Sequence, residues 1–455
     1  MKRALVLGIG VAGKAVARAL TKRGVTCVLV DDNTSPTHEA FAKEIGAELF
    51  VAPDIYSLGE IVKGVDIILP APGVPESHPL FSIAHDAQKE LISEIELAYR
   101  WEQTRPGGPR PIVAVTGTDG KTTTTLLAAA MISASGRKSV AVGNTDTPFI
   151  AALDSDADVF VVECSSFRLA LTSEFRAEAS VWLNIAPDHL DWHVDIDSYV
   201  NAKAKLWASL RESDAAVAPT GSSLITGLAA ASHGRLVPFG EGATGGYRLD
   251  NGHLVGPSGS IAPVSSMKRA LPHDISNALA AAAICLEAGV ATNESILKAL
   301  ETFLPARHRI EFVGERDGVR WFDDSKATSP HAVRTALRAF PRVVLIAGGR
   351  NKGLNLAELI DESATVRAVV GIGECGSEIA SIFSAHCPTA VATSMKDAVL
   401  AANGFAEPGD VVLLSPACTS FDWYKNYEER GVDYANNVRA LLGADKSKST
   451  KGLPE

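Results

Sequence analysis

Apolar residues fall in short unbroken runs that alternate with stretches of helical period. "RALVLGIG" (3–10) is a buried-strand run ending in glycines, "KAVARALTKRG" (14–24) is amphipathic at helical spacing, and "TCVLVDD" (26–32) and "VDIILPAPG" (65–73) are two more strands. That alternation marks a parallel sheet with helices on its faces. "EQTRPGGPRP" (102–111) is polar and rich in Pro and Gly, and reads as a linker. The pattern then restarts with strand "IVAVTG" (112–117), a helix from Thr122, strands "DVFVVECSS" (158–166) and "ASVWLNIAP" (179–187), and an Ala-rich helix closed by Gly289. The turn-rich "FLPARHRIEF" (303–312) marks a second boundary near residue 305. Strands "VVLIAGG", "RAVVGIG" and "DVVLLSPA" follow it, each trailed by a helical stretch. The fold class predicted is α/β in three domains: 1–106, 107–305 and 306–443, with a polar, disordered tail over 444–455.

Composition changes this picture little. With 455 residues, 46% apolar and 21% charged, the chain is globular and too long for one core. A net charge of −10 gives no footprint for nucleic acid or an anionic membrane. Any phosphate chemistry must therefore rely on locally placed cations. The six cysteines form no C-x-x-C pair and read as reduced thiols of a cytoplasmic protein. The start, "MKRALVLGIGVAGKAVAR", imitates a signal peptide, but glycines and Lys14 interrupt its apolar run; export is not expected. No stretch has the roughly 18 apolar residues of a membrane span.

Candidate chemistry begins at two glycine loops. Gly8-x-Gly10-x-x-Gly13 lies between a strand and a helix, and Asp31 and Asp32 end the next strand. This is a dinucleotide fingerprint in the right context, although any nucleotide diphosphate satisfies the same physics. An NAD-dependent oxidoreductase is the alternative it raises. The second loop, "VTGTDGKTTTT" (115–125), carries Gly120-Lys121-Thr122, but Val115 stands where the standard phosphate loop has its first glycine. The strand before it and the helix after it are nevertheless those of a phosphate loop. The N–H groups of Thr118 to Lys121 can form an anion nest, Lys121 can reach the β- and γ-phosphates, and Thr122 can ligate Mg²⁺. Downstream, Glu163 ends a strand. Asp188, His189, Asp191 and His193 crowd the end of another, and Lys203 sits one helical turn after Tyr199. Singly each has a plain structural explanation; together they suggest a metal site beside a phosphate site.

"GTDGKTT", "ECSSF", "NIAPDHLD", "YVNAKAKL", "HDISNALAA", "ARHRIEFV", "DDSKAT" and "SPACTSFDWYKNYEERG" resemble, in order, the motifs of the Mur ligase family of peptidoglycan synthesis, most closely its D-glutamate-adding branch. The shortened loop is that family's own ATP signature. The resemblance implies a Rossmann-like N-terminal domain, a central P-loop ATPase-type parallel sheet and a Rossmann-like C-terminal domain. It implies ATP-driven joining of D-glutamate to UDP-N-acetylmuramoyl-L-alanine through an acyl phosphate, in a cytoplasmic monomer with no nicotinamide. Lys121, Glu163, His189, Lys203 and Lys326 are its implied catalytic residues. ATP is assigned to Gly117, Thr118, Asp119, Gly120, Lys121, Thr122, Thr123, Asp274, Asn277, Arg309 and Asp324. The UDP-substrate is assigned to Gly10, Val11, Ala12, Asp31, Asp32, Gly73, Asn144, Arg168 and His189, and the amino acid to Thr328, Lys352, Ser420 and Tyr427. Two Mg²⁺ ions are implied, one on Thr122 and Glu163, the other on His189 and Lys203. Because a lysine is cationic near neutral pH, Lys203 is expected as a CO₂-derived carbamate. Three departures stand out: Asp274 where asparagine is expected, Arg168 where this branch has glutamine, and Asn33 where an arginine would face uracil.

Overall fold

The computed structural model describes residues 1–33, 35–189 and 192–443. The expected disordered tail, 444–455, and Asp191 lie outside them. The chain divides into two compact units, Met1–Ala270 with Asp274–Phe303, and Leu271–His273 with residues from Leu304 onward.

The first unit opens with β1 (Arg3–Leu7), α1 (Val11–Lys22), β2 (Thr26–Asp31), α2 (Pro36–Ile45), β3 (Glu48–Val51), α3 (Ile55–Lys63), β4 (Ile67–Pro70), α4 (Pro79–Asp86), β5 (Glu90–Leu91) and α5 (Glu94–Gln103). The five strands form one parallel sheet in the order β3-β2-β1-β4-β5. This is the Rossmann-type arrangement anticipated from the alternation. The third glycine of the fingerprint is needed for close approach: a Cβ on Gly13 would sit 1.9 Å from the Gly8 carbonyl oxygen.

The predicted linker is not a flexible tether. Glu102 belongs to α5 and is buried, as is Arg110, and the two pair with Nη2 donating to Oε2 at 2.7 Å and Nε to Oε1 at 2.9 Å. Arg110 also donates to the carbonyls of Leu153 and Ser155 and stacks over Phe160. The Pro/Gly-rich turn is therefore clamped at its base, which composition could not reveal.

A second parallel sheet follows. It is built from β6 (Ile112–Thr116), α6 (Lys121–Ala134), β7 (Ser139–Gly143), α7 (Phe149–Ala152), β8 (Val159–Glu163), α8 (Ser166–Ala170), β9 (Ala179–Trp182), α9 (Ile196–Ala204), β10 (Ala215–Pro219), α10 (Ser223–Ala231) and β11 (Arg235–Phe239). Its order is β11-β10-β9-β6-β8-β7. Its central strands are buried on both faces, so they read as continuous apolar runs. One core cluster joins both sheets, with Val6, Leu20 and Leu29 alongside Phe149, Phe160 and Trp182. The unit is completed by a small antiparallel sheet of β12 (Arg248–Asp250), β13 (His253–Gly256) and β14 (Gly259–Pro263), which the sequence pattern did not announce, and by α11 (Pro272–Glu287) and α12 (Asn293–Thr302). Gly289, at φ +63°, follows α11 as anticipated.

The second unit carries β15 (Glu311–Arg316), β16 (Val319–Asp323), α13 (Pro330–Leu337), β17 (Val343–Gly348), β18 (Val366–Ile372), α14 (Gly376–Phe383), β19 (Thr389–Val391), α15 (Met395–Phe405), β20 (Val411–Leu414) and α16 (Tyr427–Gly443). Its sheet order is β15-β16-β20-β17-β18-β19. It is parallel except for the β15–β16 hairpin, so the sheet is mixed. Among the described residues no helix is long and apolar enough to cross a membrane.

Candidate active site

The loop between β6 and α6 leaves the middle of the second sheet, and Gly120 caps α6 in the left-handed region (φ +83°). Two of the loop amides proposed for the anion nest have partners within the protein. The N–H groups of Thr118 and Asp119 both donate to Asn184 Oδ1, at 3.0 and 2.9 Å, and so brace the loop. Gly120, Lys121, Thr122 and Thr123 form the helix start, where first-turn amides have no intrahelical partner and the helix dipole favours anions. Asn184, just beyond β9, was missed as a functional position. Its signal was a polar residue ending the buried run "ASVWL". The Thr118 hydroxyl meets the Tyr199 hydroxyl at 3.1 Å, which ties the loop to α9.

Glu163 ends β8 beside β6, in register with Val115. It is buried: Oε1 accepts from Asn144 Nδ2 at 2.9 Å, whereas Oε2 has no hydrogen-bond partner. A buried carboxylate oxygen without a donor is costly in protein alone. It fits a cation bound there; Thr122, in the first turn of α6, carries a hydroxyl of the hard-oxygen type such a cation takes. His189 follows β9 with φ +57°, and its N–H donates to Asp188 Oδ1 at 2.9 Å. Its ring packs edge-on against Phe167, at 4.7 Å between centroids.

Lys203 is not the solvated charge of its plain reading. It is 1% exposed, its Nζ donates to the Gly117 carbonyl at 2.8 Å, and it lies over the Tyr199 ring. Lys121 Nζ reaches the same carbonyl at 2.9 Å. Burial, and after it the neighbouring Lys121 charge, hold the Lys203 amine well below the ordinary lysine range, against the weaker pull of Asp188 and Asp119. Lys203 and Lys121 thus bring two amines to one carbonyl oxygen.

On the far side of the loop, Asn277 Oδ1 accepts from the Thr124 hydroxyl at 3.3 Å. Asp274, the first departure, has its own partner: Arg269 donates to both carboxylate oxygens at 2.7 Å. Arg168, the second departure, is buried. Its Nη1 donates to Asn144 Oδ1 at 2.6 Å, and its Nε lies 3.6 Å from Glu94 Oε2. Burial pushes the Glu94 carboxyl up, while Arg168 and the Ile150 N–H pull it down.

The glycine fingerprint lies at the carboxyl edge of the first sheet. Gly10 precedes α1, and Val11 and Ala12 form its first turn. Asp31 is committed to this loop, accepting from Ile9 N–H at 2.7 Å and Asn33 N–H at 2.9 Å. Asp32 is exposed and lies 3.3 Å from His78 Nε2. Gly73 sits in the loop after β4, whose Val74 carbonyl accepts from Trp192 Nε1 at 2.7 Å.

In the second unit, Arg309 is flanked by His308 and Ile310 at φ +60° and +49°, conformations unusual for such residues. They are held there by a His308 Nδ1–Asp323 contact of 2.7 Å and an Ile310 N–H to Asp324 Oδ1 bond of 3.2 Å. Asp324 also accepts from the Ser415 hydroxyl at 2.7 Å, and burial pushes its carboxyl up to about 7. Lys326 lies over the Tyr427 ring, 5.0 Å from its centroid. Thr328 follows in the same loop, Lys352 lies beyond β17, and Ser420 is buried beyond β20. Arg430, inside a quoted motif yet not singled out, joins these loops. It is 1% exposed and donates to the Ser325 carbonyl at 2.8 Å and the Cys418 carbonyl at 3.1 Å.

The Mur ligase middle domain matches residues 115–285, and the Mur ligase glutamate ligase domain matches residues 308–418. The chain is 42% identical to the UDP-N-acetylmuramoylalanine--D-glutamate ligase of Frankia casuarinae, over 96% of this chain and 94% of that protein. It is 36% identical to the protein of the same name from Thermobifida fusca, over 97% and 99%. Among solved structures, the MurF ligase of Thermotoga maritima in complex with ADP shares the fold, with a TM-score of 0.61 at 15% identity over 91% of this chain and 96% of that one. On its two matched domains and its near-full-length likeness to these relatives, the chain belongs to the Mur ligase family.

Proposed function

We propose that this chain uses ATP to join D-glutamate to UDP-N-acetylmuramoyl-L-alanine, acting as a monomer in the cytoplasm, and that it is organised as domains 1–106, 107–305 and 306–443. The observation that carries the reading is the gathering, at the carboxyl edge of one sheet, of a phosphate loop and a buried strand-end carboxylate, Glu163, with an uncommitted oxygen. The near-full-length relatives supply the substrate.

A free carboxylate is a poor electrophile. In the proposed reaction its oxygen attacks the γ-phosphorus of ATP and ADP departs. The glutamate amine then adds to the acyl carbon, loses a proton, and phosphate leaves as the amide forms. Lys121 and the α6 amides bind the phosphates, while Asp274, Asn277, Arg309 and Asp324 hold the nucleoside. Gly10, Val11, Ala12, Asp31, Asp32, Gly73, Asn144, Arg168 and His189 line the path of the UDP-substrate; Asp31 acts through the loop it fastens. Lys326, Thr328, Lys352, Ser420 and Tyr427 receive glutamate, whose two carboxylates need fixed donors. Two Mg²⁺ ions, one on Thr122 and Glu163 and one on His189 and the Lys203 carbamate, would neutralise phosphate charge.

Burial supports the carbamate. An amine enclosed as Lys203 is enclosed favours its neutral form. That form adds to CO₂: the N–C bond forms, one C–O π pair moves to oxygen, and a proton is released. Lys203→Ala should lose most turnover while staying folded, with partial recovery in formate; a ¹³C-bicarbonate-derived carbamate signal should appear in the parent protein and vanish in the variant. Near-normal turnover in Lys203→Ala would overturn this assignment. The function itself is tested by phosphate release from ATP with UDP-N-acetylmuramoyl-L-alanine and each glutamate enantiomer. Release only with the D form is expected, and none with either would refute the reading.

A further inference from the structure

Arg168, placed above along the path of the UDP-substrate, also stands in a chain of polar contacts that runs from Glu94 to Glu163. Glu94, at the start of α5, accepts from the Ile150 N–H through Oε1 at 2.6 Å, and its Oε2 forms an ion pair with Arg168 Nε at 3.6 Å, too long for a hydrogen bond. Arg168 Nη1 donates to Asn144 Oδ1 at 2.6 Å, and Asn144 Nδ2 donates to Glu163 Oε1 at 2.9 Å. Glu94, Arg168 and Glu163 are buried, whereas Asn144 is exposed.

The direction of this chain is set by donor chemistry. A guanidinium has only donors, so it can accept nothing from Asn144 and fixes the amide with its oxygen toward Arg168 and its nitrogen toward Glu163. A glutamine at 168 could offer either end of its own amide, and Asn144 could then turn over. With Asn144 fixed as a donor, one oxygen of Glu163 is committed and Oε2 is the oxygen left without a partner. Groups that orient a ligand carboxylate in this way commonly change metal affinity 10- to 100-fold when removed, by roughly the range known for outer-shell partners.

We propose that Arg168, anchored by Glu94, is a positioning residue that locks the Asn144 amide and so presents Glu163 Oε2 to the divalent cation. This rests on the reading of Glu163 as a metal carboxylate. Arg168 acts through Asn144 and is not itself assigned contact with the reacting atoms by this argument.

The test is Mn²⁺ binding to the full-length chain saturated with a non-hydrolysable ATP analogue, read by water-proton relaxation, with melting curves for each variant. Glu163→Gln should weaken Mn²⁺ binding; if it does not, the metal reading of Glu163 fails. Given that loss, Arg168→Gln should weaken Mn²⁺ binding by about tenfold or more, and Arg168→Lys, which also has only donors, should recover much of it. Because Arg168→Gln leaves Glu94 buried beside a neutral group, the double variant Glu94→Gln with Arg168→Gln is the second probe. It removes both charges and should show the same loss of Mn²⁺ affinity with the fold retained. If Glu163→Gln weakens binding while the Arg168 variants bind Mn²⁺ as the parent does, the relay is wrong. A raised KM for the UDP-substrate with unchanged Mn²⁺ binding would equally overturn it, by leaving Arg168 with its substrate role alone.

Discussion

Two glycines with nearly the same φ allow the phosphate loop to be tested against strain alone. Gly120 caps α6 at φ +83°, and Gly136, just past the same helix, sits at φ +89°. Alanine at either position must adopt a left-handed conformation, at a cost of about 1–2 kcal/mol. Their surroundings differ. A Cβ on Gly136 would meet nothing within 4 Å, whereas on Gly120 it would lie 2.7 Å from Asn277 Oδ1 and 3.2 Å from Leu183 Cδ1. Asn277 must move, and its bond from Thr124 goes with it, a further loss of about 1 kcal/mol. Gly120→Ala should therefore cost about 2–3 kcal/mol in urea denaturation, against about 1–2 for Gly136→Ala. The functional contrast should be sharper. The extra ~1 kcal/mol falls on the loop and on the proposed nucleoside contact, so the Kd for ATP should rise about fivefold or more. Gly136→Ala should leave that Kd unchanged. Calorimetry with ATP measures both. If Gly120→Ala binds ATP as well as Gly136→Ala does, the loop is not the phosphate cradle.

Gly10→Val should fold normally, because a Cβ there meets no protein atom within 4 Å, yet calorimetry should show weakened binding of UDP-N-acetylmuramoyl-L-alanine and none of NAD. Arg110→Ala leaves the Glu102 carboxylate buried without its partner and should cost about 3–5 kcal/mol in urea unfolding, whereas Glu102→Leu with Arg110→Met should cost far less. An Asp324 carboxyl pushed up to about 7 binds a proton in the folded chain that the unfolded chain releases at about 3.9. Its contribution makes stability fall as pH rises between those values; urea midpoints of Asp324→Asn should fall less steeply over that window than those of the parent.

Much of the architecture was legible because buried parallel strands are continuous apolar runs, as in "IVAVT" and "VFVVE". Short antiparallel strands gave no such run: in β12 to β14 burial is patchy, and glycines interrupt the pattern. The pairing inside segment 102–111 was illegible for a different reason: only the fold brings Arg110 onto Glu102 and the carbonyls of Leu153 and Ser155. Lys203 shows the same limit. Helical period places it one turn from Tyr199, but nothing in that spacing says that the side chain is enclosed under Gly117.

The site itself could be assembled from sequence only by resemblance, because its parts meet through sheet order. β6 is flanked by β8 on one side and β9 on the other, all parallel, so all three chains leave the same edge. Register completes the meeting: Val115 pairs with Glu163, and Thr116 with Trp182. The phosphate loop, the Glu163 carboxylate and the 184–189 segment consequently start level with one another, although scores of residues separate them along the chain. Open parallel sheets bind ligands at such edges, where neighbouring connections diverge. Periodicity can name each strand, but it cannot order them, and a one-residue slip of β8 against β6 would turn Glu163 to the other face. The register therefore does what no motif could specify alone: it points the orphaned Glu163 oxygen to the side of the sheet where Asn144 can reach its partner oxygen.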